Sequence, residues 1–161
     1  MGPWRGRFLL MLAAALFFVG PMLAGRAVDR VRLDAWEDRG FSRDAPREWR
    51  RHDIARLSEA LVWRARGFDP ADAGAWKRMA FVPVDAEAWV AQGFDVRTAS
   101  VWAREAFDPA AAAAWREAGF SVGDAVAWRK RAFEPADAAS WRTAGRGPLE
   151  AAGMRAAGSA P

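Results

Sequence analysis

The sequence predicts an all-α fold: a solenoid of about ten short helices behind an N-terminal hydrophobic helix. Three observations carry this expectation. Tryptophan stands at 36, 49, 63, 76, 89, 102, 115, 128 and 141, at intervals of 13 with a single interval of 14. Phenylalanine follows five residues behind at Phe41, Phe68, Phe81, Phe94, Phe107, Phe120 and Phe133, with Ile54 at the corresponding place behind Trp49. Glycine and alanine alternate just before that aromatic, as Gly67, Ala80, Gly93, Ala106, Gly119, Ala132 and Gly145. Internal repetition at a fixed short period is the signature of stacked units that cannot bury their apolar faces alone.

The leader comes first in the chain. Arg5 and Arg7 precede an apolar run of 18 residues, Phe8 to Gly25. A basic start followed by a short apolar stretch marks a secretory signal, and this run is also near the lower limit for a membrane span. Cleavage after Ala24 or Ala27 and retention as an anchor through residues 8–25 both remain open. Arg26, Arg30 and Arg32 beyond the run disfavour a simple positive-inside orientation. Residues 1–27 are therefore expected to be a signal peptide or membrane anchor. In either case the rest of the chain is expected in the periplasm or elsewhere outside the cytoplasmic membrane, free after cleavage or tethered to it by the uncleaved leader.

Residues 28–158 form the expected repeat domain, with 159–161 as a tail. The clearest units run from Phe68 to Gly145, for example FDPADAGAWKRMA and FEPADAASWRTAG. Asp69 is a suitable N-cap, since its carboxylate can accept from first-turn N–H groups. Pro70 suits the first helical position, where no N–H partner is needed, and Asp72 stands where a capping box has its reciprocal acid. Glu134, Pro135 and Asp137 repeat this arrangement, and Ser121 with Asp124 repeats part of it. About nine helical residues then lead to the Gly or Ala, where glycine permits a left-handed terminus. Alanine and tryptophan three apart, such as Ala73 and Trp76, share one face. The Gly/Ala alternation, with covarying helix starts, predicts a 26-residue period of paired helices joined by two different turns. Pro46 sits oddly in the unit 41–53, the unit 54–67 carries an extra residue, and the unit 146–158 has Met154 in the tryptophan place.

A nine-residue helix is unstable alone in water. Burial of an aromatic side chain removes roughly 150–250 Å² from water, worth a few kcal/mol at about 25 cal/mol/Å². The rings are therefore expected to be the material between the helices.

Composition narrows the chemistry. Cysteine is absent and His52 is the single histidine, which removes thiolate nucleophiles, Cys-ligated metals and any site needing two His. No cofactor and no metal site are expected. The net charge of +4 is small against 24 basic and 20 acidic residues, and the two signs are interspersed, which argues against nucleic acid.

Four candidate features remain. Trp36 and Trp49, in the outermost units, are the indoles best placed to be exposed as sugar-stacking platforms. Arg50, Arg64, Arg116, Arg129 and Arg142 each follow a tryptophan directly, predicting a row along the stack. That row is either a solvated face partly paired with acids or a groove for an acidic partner, anionic lipid or anionic glycan. The polar stretch from Arg47 to Asp53 includes Arg51 and His52 beside the irregular unit. A His–Asp neighbour pair suggests acid–base chemistry, but no nucleophile accompanies it. Aspartates such as Asp69 and Asp72 read as helix caps rather than calcium ligands, since no further oxygen donors surround them.

From Trp63 to Trp141 the pattern W-x-x-x-[GA]-F-x-P-x-x-A resembles tandem short helical repeats of bacterial proteins. The resemblance implies a helical repeat and transfers no catalytic or ligand residue. The expected role is a non-enzymatic scaffold presenting its surface to an envelope protein. The alternative is a cell-wall or polysaccharide-binding module that uses exposed tryptophans.

Overall fold

The structure, a computed structural model, describes residues 32–161. The leader, and with it the expectations of a signal peptide, anchor or N-terminal hydrophobic helix, lies outside the described residues. Among the described residues no helix is long and apolar enough to cross a membrane.

The described chain is all-α. A helical segment over 32–37 (α1) is followed by α2 Ala45–Arg51, α3 Leu57–Ala65, α4 Pro70–Arg78, α5 Pro83–Ala91, α6 Val96–Arg104, α7 Pro109–Glu117, α8 Val122–Arg129, α9 Pro135–Thr143 and α10 Pro148–Ala156. Most are nine residues long, as the spacing predicts. The described residues divide into two compact units, the first ending at Gly74 and the second running from Ala75 to Pro161.

Local chemistry sets each helix start. Asp69, Asp95 and Asp108 cap α4, α6 and α7, each accepting from the backbone N–H three residues on at 2.8–2.9 Å. The Asp95 carboxyl is held below the ordinary carboxylate range, first by the Thr98 backbone N–H and then by its hydroxyl. Ser121 accepts from Asp124 N–H and donates its hydroxyl to the Asp124 carboxylate. This is a variant of the expected capping box in which the two side chains close on each other. Glu134 departs from expectation: its side chain makes no capping bond, and Pro135 at the first turn of α9 does the work of starting that helix. Pro46 explains why α2 has only seven residues. Proline lacks the N–H an interior position needs, so the helix begins at Ala45 and Pro46 falls in its first turn. The extra residue of the unit 54–67 lengthens the loop ahead of α3.

Every helix end uses one device. After α5, Gly93 turns left-handed at φ 72°. Its N–H donates to Val90 O at 2.8 Å, and the Phe94 N–H donates to Trp89 O at 3.1 Å. This left-handed cap satisfies carbonyls that the helix end would otherwise leave without partners, and it carries an apolar contact between the residue after the turn and the last helical turn. The two expected turn types are therefore one. Ala80, Ala106 and Ala132 adopt the same left-handed geometry at φ 64°, 56° and 57°, and Asp53 does so at φ 64°. The alternation of glycine and alanine does not change the path of the chain.

The contact closing most of these turns is aromatic; Ile54, Arg146 and Ser159 stand in the same place after α2, α9 and α10. Trp89 and Phe94 meet edge to face with centroids 5.0 Å apart, and Phe94 meets the next Trp102 at 6.4 Å. The same alternation runs from Trp76 to Phe107 and from Trp115 to Trp141 in the second unit. From Trp63 to Trp141 the residue three before each tryptophan is a wholly buried alanine, as at Ala86, Ala99, Ala112, Ala125 and Ala138. A methyl there lets neighbouring backbones approach while the rings fill the remaining space. The nine tryptophans from Trp36 to Trp141 are all buried.

Left-handed backbone is costly for any residue with a Cβ, by about 1–2 kcal/mol. The change Ala106→Gly relieves that strain but frees the unfolded chain, which returns part of the gain. Chemical denaturation should find Ala106→Gly more stable by up to about 1 kcal/mol. Gly93→Ala should lose about 1 kcal/mol, because an added Cβ meets only the Arg116 guanidinium at an ordinary 3.7 Å.

Candidate functional site

The residue following tryptophan decides how successive units are joined. Arg116, just after Trp115, extends back to the end of α5. Its Nη1 donates to Gly93 O at 3.1 Å and its Nη2 to Gln92 O at 2.7 Å. Its guanidinium carbon lies 4.0 Å from the centroid of the Phe94 ring. The planar fork thus bridges two carbonyls at the negative end of a helix and covers a ring face in the same pose.

This clasp recurs. Arg129 holds the end of α6, Arg142 that of α7 and Arg155 that of α8, stacking 3.8, 3.9 and 3.7 Å from Phe107, Phe120 and Phe133. Each fork reaches 23 and 24 residues back, to the helix two units earlier. Within the second unit this wiring links α5, α7 and α9 in one row and α6, α8 and α10 in another, as in a two-layer solenoid. The 26-residue period expected from the sequence thus describes which helices are tied together.

The candidate residues fall into place around this device. In the first unit Arg64 clasps Arg39 O and Gly40 O at 2.6 and 3.0 Å and stacks 3.6 Å from Phe41. Phe41 lies between Trp36 and Trp49, at 4.9 and 6.1 Å. Trp36, Trp49 and Arg64 are therefore brought together about one phenyl ring. Trp36 and Trp49 are 6% and 3% exposed, so the expectation that outer units bury their indoles less is corrected: Phe41 and the Arg64 clasp enclose them. The arginine row is corrected too. The guanidiniums of Arg64, Arg116, Arg129 and Arg142 are hydrogen-bonded to backbone carbonyls instead of paired with acids. Arg50 is exposed, and Arg51 pairs with Glu48 at 3.0 Å on the surface. His52 and Asp53 form the left-handed end of α2, with Ile54 N–H donating to Trp49 O at 3.0 Å. Their irregular polarity marks a helix terminus. Among the described residues no three of His, Asp and Glu gather as a metal shell.

The residues after Trp76, Trp89 and Trp102 are not arginine, and of these only residue 103 has its register partners wholly within the second unit. The residue after Trp102 is Ala103, which carries no guanidinium. By the register of the others, its clasp would hold Met79 O and Ala80 O and cover Phe81. A groove of about 700 Å³ lies there, lined by Met79, Ala80, Phe81, Val101 and Ala103, with Asp85, Arg97, Ser100 and Arg104. The Phe81 ring touches Trp76 at 5.0 Å and Trp89 at 6.3 Å through edge contacts. Among the described phenylalanines Phe81 alone is not buried. Met79 and Val101 beside it are 52% and 37% exposed. Sequence reading passed over Phe81 and Ala103, although the column after tryptophan held the signal: Arg50, Arg64, Lys77, Val90, Ala103, Arg116, Arg129, Arg142. Arg155 was missed because Met154 replaces the tryptophan before it.

Set beside known proteins, the chain matches no family model, no curated protein and no solved structure.

If the clasp joins units, Arg142→Ala should lower stability by about 1–2 kcal/mol, the sum of exposed charge-assisted bonds and one cation–π contact. Arg142→Lys should recover only part of this, because an ammonium cannot bridge Ala118 O and Gly119 O as a planar fork does. Urea unfolding of the three chains measures the difference, and equal stability of all three would contradict it.

Proposed function

We propose that this chain is a non-enzymatic helical-repeat scaffold that holds a protein partner against the Phe81 groove. The leader, residues 1–27, delivers it to the far side of the cytoplasmic membrane or tethers it there, so the partner is an envelope protein. The observation that carries the reading is the concentration of exposed apolar side chains in one stretch. Of the seven large apolar residues exposed among the described residues, Met79, Val82, Val84, Val90 and Val101 fall between 79 and 101. Exposed apolar surface of this kind marks sites where proteins meet, and repeat proteins bind partners along such faces. The buried indoles favour packing over sugar stacking, and the clasped guanidiniums act as structural ties.

The test is affinity capture of the tagged full chain from detergent-solubilised envelope. A partner in stoichiometric amount should co-purify, and the double change M79E/V101E should lose it while keeping its helicity and melting temperature. Capture of no stoichiometric partner, or unchanged capture by M79E/V101E, would contradict the reading.

A further inference from the structure

We propose that the groove at Phe81 is a guanidinium-binding site, a clasp left vacant by Ala103 that takes an arginine side chain from the partner protein. The inference rests on the scaffold reading for its biological occupant. The chemistry of the site is carried by the chain's own repeats.

Five times in the described residues the same set of groups is filled from within. The end of a helix turns left-handed, two carbonyls of that turn accept a guanidinium fork, and the phenyl ring after the turn receives its face. The end of α4 has every part of this receptor. Ala80 is left-handed, its N–H donates to Lys77 O at 2.9 Å, and the Phe81 N–H donates to Trp76 O at 3.2 Å. Phe81 is fixed by edge contacts to two indoles, so its face is presented rather than folded away. The one difference is that residue 103 ends at a methyl group. The clasped Phe94, Phe107, Phe120 and Phe133 are all buried, and so is Phe68, whose register position holds Val90; Phe81 alone of the described rings is only partly buried, so it is the ring that stays accessible.

The surrounding charges give a cation no net attraction, so selection rests on the directional bonds and the ring face. Asp85 lines the groove with a negative charge, and Arg97 and Arg104 line it with positive ones. Arg104 keeps its Nε on Ser100 O of its own helix at 3.3 Å, and neither arginine is stacked on Phe81. Unspecific attraction of cations is therefore weak here, and an ammonium gains little. A guanidinium gains two directional bonds and a ring face at once, which an ammonium cannot match. The groove, about 700 Å³, is large enough for the side chain together with its peptide backbone. Exposed Met79 and Val101 offer the apolar contact that the aliphatic stem of an arginine makes.

The test uses the full chain, ¹⁵N-labelled in detergent micelles, titrated with N-acetyl-arginine amide, N-acetyl-lysine amide and N-acetyl-citrulline amide. The arginine probe should shift the amide signals of Ala80 and Phe81 saturably and bind about ten-fold tighter than the other two. The change A103R should raise the melting temperature and abolish those shifts, since the vacancy is then filled from within. F81L should weaken the probe while leaving the fold intact. Absence of arginine-selective shifts, shifts that persist in A103R, or an A103R chain that does not fold would each overturn the proposal. Partner capture separates the two readings. If A103R still captures what M79E/V101E loses, the scaffold reading stands and the arginine site falls. If no partner is captured at all, the probe titration still reports on the site alone.

Discussion

The fold depends on a contact made at seven of the ten described helix ends: an aromatic ring folded back across a left-handed turn onto the tryptophan of the helix it terminates. At Phe94 the backbone N–H donates to Trp89 O while the two rings meet at 5.0 Å. One residue thus satisfies a helix-end carbonyl, fixes the direction in which the chain leaves the helix, and contributes the apolar surface that a nine-residue helix lacks. The spacing of five between tryptophan and phenylalanine is the span from the last helical turn to the residue after a left-handed cap. Other spacings would separate the hydrogen bond from the ring contact. The wholly buried alanines then set how closely the helices approach.

A second interaction turns a string of such units into a stack. At Arg64, Arg116, Arg129, Arg142 and Arg155 a guanidinium ties its helix to the end of the helix two units back. In solenoids the neighbour contacts carry much of the stability, so an omitted clasp is a local loss of stability. It is also a local gain of unsatisfied binding capacity. The Ala103 position combines the two, because a ring face and two carbonyls are left where every fully clasped unit has a cation. Departures from the rule of a repeat are where function is expected to be lodged, and here the departure is the absence of a side chain.

Much of this was legible in the sequence. The tryptophan spacing gave the units, their helical character and their length, and the Ala73–Trp76 pairing gave the buried face. Periodicity failed where a side chain's partner lies far along the chain. Nothing local to Arg116 indicates that it will seek Gln92 O and Gly93 O, so a row of arginines read as a solvated face or an acidic-partner groove. Alternating Gly93 and Ala106 suggested two turns because alanine is a poor left-handed residue. The structure instead forces alanine into glycine's conformation, since the ring contact beyond it outweighs the strain. Glu134 read as a cap like Asp69, yet its longer side chain makes no such bond and Pro135 suffices. His52 and Asp53 looked like chemistry because a helix terminus and an acid–base pair draw on the same polar residues. The Phe81 groove lay hidden in a column of residues whose meaning depends on knowing what the other members of that column hold.

The most direct test of the central claim is the accessibility of the repeat's indoles in solution, measured by tryptophan emission and acrylamide quenching of the full chain carrying Trp4→Phe. Nine tryptophans enclosed between helices should emit to the blue and resist the quencher until the chain unfolds, with both properties lost in one cooperative transition. Emission at the water-exposed position with free quenching in the native protein would contradict the account.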